Sequence, residues 1–198
     1  MLVTGFGKFP GRDENPAAAL VGLLARELAN DPALDARCIV LETEYAAAPE
    51  RLRTELRAFR PEIVLSFGVA AEETGFRLER AAHNRVGTSR PDAAGCRPDK
   101  DFIGDGPQRY DTAVPLENIC KRLKESGIQA RLSDDAGDYL CNFVYYLTLE
   151  AAQNSDFIKS ACFIHIPVPD RAGTLSAVDV LRGAVLIARQ TGALDDNP

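Results

Sequence analysis

The chain is short of several patterns that would point to a metal, a membrane or a nucleic acid. It has two histidines, no Cys-x-x-Cys pair and no long apolar run. No stretch approaches the roughly 18 apolar residues that a membrane span needs. Only His83 and His165 could join cysteines around zinc, and no ligand pair has tight spacing, so no metal is expected. The five cysteines, Cys38, Cys96, Cys120, Cys141 and Cys162, are odd in number. That fits free thiols in a reducing compartment. Basic excess is missing too, with 23 Lys and Arg against 29 Asp and Glu. A nucleic-acid groove usually needs clustered basic residues, so no such partner is expected. Met1 to Phe6 runs into a strand-like segment without a basic leader, so a cytoplasmic protein with no signal peptide is expected.

What is present is an ordinary globular composition, 45% hydrophobic and 26% charged over 198 residues. Such a length buries enough apolar surface to fold without disulfides, and a single domain over 1–198 is expected. Short apolar runs alternate with amphipathic ones. Strands are predicted at Met1–Gly5, Cys38–Leu41, Ile63–Phe67, Ala130–Leu132 and Ala161–Ile166. Asn15-Pro16 opens a helix as cap and first-turn proline, with Leu20, Leu24 and Leu28 on its buried stripe. Asp31-Pro32 ends it. Further helices are predicted from Pro49 (Leu52, Leu56, Phe59), over Leu116–Glu125 (Ile119, Cys120, Leu123), from Gly137 to about Ala152, and over Leu175–Arg189 (Val178, Leu181, Val185). Residues 69–115, rich in Gly and Pro, read as a long loop-rich insertion. The tail from Leu194 reads as polar and frayed. The alternation implies an α/β fold, a three-layer α/β/α sandwich with a mainly parallel central sheet. Ligands then bind beyond the carboxyl ends of the strands.

Three residues in those places carry candidate chemistry. Cys141 lies between the turn at Gly137 and an apolar helical run. Near a helix N-terminus a thiol is acidified by the dipole, and the free amides there can hold an oxyanion. A buried structural cysteine is the equal alternative. His165 ends an apolar strand, as a packed core histidine would, or as the base for a thiol nucleophile. Glu79 could orient that imidazole or be a surface residue paired with Arg80. The glycine loop Gly5-Phe-Gly-Lys-Phe-Pro-Gly11 departs from both nucleotide fingerprints, and its two phenylalanines suit an apolar pocket better than a pyrophosphate. Cys38, Cys120 and Cys162 read as core, Cys96 as exposed, and His83 as a surface or loop residue.

Five segments in order resemble the pyroglutamyl peptidase I family. They are Thr4-Gly5-Phe6-Gly7-Lys8-Phe9 with Asn15-Pro16, Glu79-Arg80-Ala81-Ala82-His83-Asn84, Asp105-Gly106-Pro107 with Tyr110, Ala136-Gly137 leading to Cys141-Asn142, and Phe163-Ile164-His165-Ile166-Pro167. The resemblance implies a cysteine peptidase that removes N-terminal pyroglutamyl residues through a thioester. Cys141 would be the nucleophile, His165 the general base and acid, and Glu79 its orienting carboxylate. It implies no metal or cofactor, and often a homotetramer. The lactam pocket would comprise Phe6, Phe9, Thr43, Tyr139 and Leu140, with Asn15 bonding the lactam carbonyl; a flat neutral ring suits such walls. Two stretches depart from the family. Its Gly-Gln-Ala-Gly-Gly-Arg is here Gly68-Val69-Ala70-Ala71-Glu72-Glu73. Its Ala-Arg-Ile-Pro-Asp is here Thr88-Ser89-Arg90-Pro91-Asp92, so Arg90 stands for an apolar pocket residue or, with a one-place slip, for the family arginine. The alternatives are a hydrolase of another small cyclic amide or N-acyl compound, and an idle binding protein on the same fold.

Overall fold

The computed structural model describes residues 1–9, 14–29, 31 and 34–193. The Pro10-Gly11 end of the glycine loop, Pro32 and the tail from Leu194 lie outside the described residues. The element order is β1 (Leu2–Phe6), α1 (Pro16–Leu28), β2 (Arg37–Leu41), α2 (Ala47–Phe59), β3 (Ile63–Val69), β4 (Phe76–Glu79), β5 (Ala81–His83), β6 (Arg109–Asp111), α3 (Leu116–Glu125), β7 (Ala130–Ser133), α4 (Leu140–Asn154), β8 (Ser160–Ile166) and α5 (Ala177–Gly192). Six strands form the central sheet in the order β2-β1-β3-β8-β4-β7. β2, β1, β3 and β8 run parallel. β4 lies antiparallel to β8 and parallel to β7, so the last two strands run against the other four.

Helices cover both faces. One core joins Leu20, Leu24 and Leu28 of α1 to Ile119 and Leu123 of α3 and to Val180 and Ile187 of α5. The other joins Leu52 and Leu56 of α2 to Val144 and Leu149 of α4. β3 and β8 are buried between the two layers, which is why they read as near-continuous apolar runs. The Asn15 side-chain oxygen Oδ1 accepts from Ala17 N, as an N-cap should.

Several expectations change. The 69–115 insertion contains three strands, and β4 belongs to the central sheet. Its Phe76-Arg77-Leu78-Glu79 alternates, so Phe76 and Leu78 enter the core while Arg77 and Glu79 share the opposite face. β5 and β6 form a separate antiparallel pair. The fourth helix starts at Leu140, three residues after Gly137. Gly137 has φ +90°, a left-handed conformation incompatible with continuing a right-handed helix. On α5 the buried face is Val180, Ala184 and Ile187, whereas Val178 is 74% exposed and Leu181 and Val185 are half-buried. Cys120 and Cys162 are buried and Cys96 is exposed, as expected, while Cys38 is only half-buried.

Candidate active site

The site lies where the carboxyl ends of β1, β3 and β8 meet the start of α4. Cys141 is the second residue of α4 and is half-buried. The N-cap residue of this helix, Tyr139, makes no side-chain cap hydrogen bond. The amides of its first turn are therefore available as hydrogen-bond donors. Gly68, opposite His165 in the β3–β8 ladder, makes room for the nucleophile. A Cβ at position 68 would stand 2.8 Å from the Cys141 sulfur and 2.8 Å from the Phe163 ring. The ring of Phe163, two residues before His165 on the same strand face, lies 5.0 Å from the His165 ring.

His165 is buried, and it joins the sulfur to the carboxylate. Cys141 is the neighbour that acts most strongly to hold a proton on its ring, and the two side chains line the same pocket. His165 Nδ1 lies 2.7 Å from Glu79 Oε1, and Glu79 is fully buried. That bond selects the Nδ1–H form and leaves Nε2 for the sulfur. Burial acts to lower the His165 pKa. The charge and hydrogen bond of Cys141, then those of Glu79, outweigh it and raise the pKa to about 9. Both partners act to keep the ring protonated.

Glu79 is not paired with Arg80, which instead meets Asp134 and Glu117. The Glu79 partner is Arg77, whose Nε donates to Glu79 Oε1 at 2.7 Å. Arg77 Nη1 reaches Glu72 at 3.2 Å and Glu73 at 3.1 Å. Arg77 escaped the sequence reading, although the alternation of residues 76–79 could have revealed it. Tyr145 of α4 donates its hydroxyl to the Glu79 carbonyl and ties α4 to β4.

A pocket of about 250 Å³ opens beside the sulfur. Phe6, Phe9, Asn15, Thr43, Tyr139 and Leu140 all line it, together with Cys141 and His165. The Gly7 carbonyl accepts from Asn15 Nδ2 at 2.7 Å and from Thr43 Oγ1 at 3.0 Å. An amide nitrogen carries two donors, and among the described residues Asn15 Nδ2 donates to the Gly7 carbonyl, which leaves its second N–H for a ligand. Tyr139 is fixed by donating to the Pro91 carbonyl at 2.9 Å. Arg90 also lines the pocket, with its guanidinium carbon 4.1 Å from the Tyr139 ring centroid. Ser89 instead gives its carbonyl to Arg97. Two asparagines from the sequence motifs hold the scaffold. Asn142 accepts from His83 N and donates to the His83 and Arg85 carbonyls. Asn84 Oδ1 accepts from Ile103 N and Gly104 N. His83 ends β5, half-buried, with Nε2 2.7 Å from the Asp134 carbonyl.

Among the described residues no cluster of three or more His, Cys, Asp or Glu could hold a metal ion. No helix among them is long and apolar enough to cross a membrane.

The chain is similar to several characterised proteins. The sequence profile of the pyroglutamyl peptidase family matches residues 1–178. The pyrrolidone-carboxylate peptidase of Pyrococcus furiosus is 33% identical over 175 residues, covering 86% of this chain and 82% of that protein. Pyrrolidone-carboxylate peptidase 1 of Streptococcus pneumoniae is 32% identical over 192 residues, covering 92% and 88%. The solved pyrrolidone carboxyl peptidase of Fervidobacterium islandicum superposes with a TM-score of 0.89 at 28% identity, covering 98% of this chain and 97% of that one. That of Thermococcus litoralis gives 0.88 at 27% identity, covering 100% and 95%. A profile match of this extent, with relatives aligned over most of their own length, makes the chain a member of the pyroglutamyl peptidase family.

Proposed function

We propose that the chain removes N-terminal pyroglutamyl residues from peptides as a cysteine peptidase, with Cys141, His165 and Glu79 as its catalytic line. The observation that carries this reading is the 2.7 Å contact of Glu79 Oε1 with the His165 ring, whose pocket Cys141 shares. The Cys141 thiolate attacks the carbonyl carbon of the pyroglutamyl residue. A C–S bond forms, and the carbonyl oxygen takes the negative charge next to the first-turn amides of α4. The C–N bond then breaks as His165 gives its Nε2 proton to the leaving amine. This leaves a thioester and a neutral imidazole. The imidazole takes a proton from water, whose oxygen attacks the thioester. Pyroglutamate departs, and the thiolate and imidazolium are restored. The lactam ring is assigned to the walls formed by Phe6, Phe9, Thr43, Tyr139 and Leu140, with the remaining Asn15 N–H on its carbonyl. One domain over 1–198, a homotetramer and a cytoplasmic setting belong to the same reading. Five free thiols support that setting.

The test is hydrolysis of pyroglutamyl-aminomethylcoumarin under reducing conditions, with Cys141→Ala beside the wild type. Release by the wild type alone supports the reading. Release by both would remove Cys141 from the mechanism, and no release by folded wild type would overturn the substrate assignment. One observation favours a second reading, hydrolysis of a different small acyl amide. Arg90 brings a cation to the pocket wall, and covering it with a neutral lactam costs desolvation. A panel that adds acyl groups bearing a carboxylate separates the two readings.

A further inference from the structure

We propose that Arg77 is a positioning residue for the acid end of the Cys141–His165–Glu79 line, fixing the Glu79 carboxylate and setting how firmly it holds the imidazolium proton. The proposal rests on the catalytic assignment above, but it makes a claim of its own about a different residue. Arg77 and His165 stand directly opposite each other in the β4–β8 ladder. Arg77 and Glu79, two apart on β4, share the face that His165 occupies. Three donors therefore converge on a small volume. Arg77 Nε and His165 Nδ1 both lie 2.7 Å from the same oxygen, Glu79 Oε1. Arg77 Nη2 lies 3.2 Å from His165 Nδ1. When Nδ1 carries its proton, those two nitrogens are both donors, so they are neighbours through a shared acceptor and not bonded to each other.

The other Glu79 oxygen sharpens the point. Oε2 is buried and has no hydrogen-bond partner among the described residues. The carboxylate is therefore held through Oε1 alone, by one guanidinium and one imidazole. Without Arg77 its orientation would depend on the very ring it is meant to orient. Arg77 is itself immobilised. Its side chain is 13% exposed and bonded to Glu72 and Glu73, and Glu73 is gripped in turn by Arg131 of β7. Glu73 stands where the resembled family motif has an arginine.

The charges around His165 give the proposal a sign. Cys141 on α4 and Glu79 on β4 favour the imidazolium. Arg77 on β4 opposes it directly as a like charge and indirectly by sharing Oε1. Glu72 and Glu73 before β4, and Arg131 on β7, act on Arg77. Tyr145 on α4 bonds the Glu79 carbonyl. Removing Arg77 therefore strengthens the hold on the His165 proton while loosening the geometry.

The experiment compares wild type, Arg77→Gln and Arg77→Lys by two readouts. The first is an NMR titration of the His165 ring, which is simple to assign in a chain with two histidines. The second is kcat and KM on the aminomethylcoumarin substrate. For Arg77→Gln the His165 titration moves up by about one pH unit or more, kcat falls about tenfold or more, and KM stays near wild type. For Arg77→Lys the titration returns towards wild type, because the charge is kept. Its kcat recovers only in part, because an ammonium cannot reproduce the fork to Glu79 and Glu73. An unmoved titration in Arg77→Gln overturns the proposal, as does a raised KM with kcat retained, which would make Arg77 a substrate contact. If Arg77→Gln does not fold, Arg77→Lys carries the test, and wild-type kcat in it overturns the positioning claim. The titration needs no turnover. It can therefore succeed even if the pyroglutamyl assignment fails, and the reverse also holds.

Discussion

Cys141 and Glu79 reach the same imidazole from structurally different regions. The sulfur comes from the periodic part of the molecule, on the first turn of α4, above the parallel strands β3 and β8. The carboxylate comes from β4, a four-residue strand inside the Gly- and Pro-rich stretch, running antiparallel to β8 beside it. On the sulfur side the working device is clearance, since Gly68 leaves space for Sγ and the helix start leaves its amides free. On the carboxylate side the device is charge, with Arg77 surrounded by Glu72, Glu73 and Glu79. The sulfur side depends on backbone geometry that a sequence pattern announces. The carboxylate side depends on side chains brought together from non-adjacent segments.

The sharpest way to break the comparison is Glu79→Gln. The amide keeps the shape but can offer Nδ1 a donor in place of an acceptor, which favours the wrong tautomer. The expected loss is about 10³- to 10⁴-fold in kcat, by analogy with a triad carboxylate changed to its amide. Circular dichroism should be unchanged and KM little altered. A loss below about tenfold would mean that the sulfur and the imidazole act without the β4 side.

Gly68→Ala probes the opposite region and has the next largest effect. The new methyl would meet the sulfur and the Phe163 ring, each at 2.8 Å. Phe163 is fully buried, so it has little room to yield, and the sulfur must shift. A displacement of this kind costs about 10²-fold in rate, with about 1–3 kcal/mol of stability lost to overpacking. Denaturant unfolding and kcat/KM measured together check it. Unchanged activity would show that Cys141 reaches His165 without that clearance.

The same division explains what was legible in the sequence. The alternation of apolar runs and amphipathic helices was enough to place β1, β3, β8, α1 and α3, because each buries a periodic stripe against its neighbours. It also placed Cys141 and His165 at the ligand-facing ends of their elements. Glu79 could be singled out only by resemblance, since on its own it reads as a surface carboxylate beside Arg80. β4 was hidden because four residues between glycine-rich loops give too short an alternation to stand out. Its reversed direction depends on pairing with β8 and β7, a long-range fact that no local window contains. Arg77 was missed for the same reason. On α5 the heptad-like set Val178, Leu181 and Val185 competed with Val180, Ala184 and Ile187, and the packing partners Phe76 and Leu123, which lie against Gly183, decided between them.

The smallest expected effect weighs the two regions against each other in one residue. The His165 pKa is raised from its ordinary value of 6.5 to about 9 in the folded protein. A raised pKa means that folding favours the protonated form. Its stabilising contribution is therefore complete below about pH 6.5 and is lost as pH rises through about 9. Thermal unfolding should show the Tm advantage of wild type over His165→Gln shrinking across that interval. Hydrolysis should fall over the alkaline end of it, as the proton for the leaving amine disappears. Cys141→Ala and Glu79→Gln each remove part of what holds the proton, so each should flatten the profile. The Cys141 charge and bond are the larger of the two contributions opposing burial. The Cys141→Ala profile should accordingly be the flatter one, even though Glu79 is the more deeply buried partner. If Glu79→Gln flattened it more, the ion network on β4 would outweigh the sulfur. The imidazolium would then be held mainly by the region that the sequence pattern left hidden.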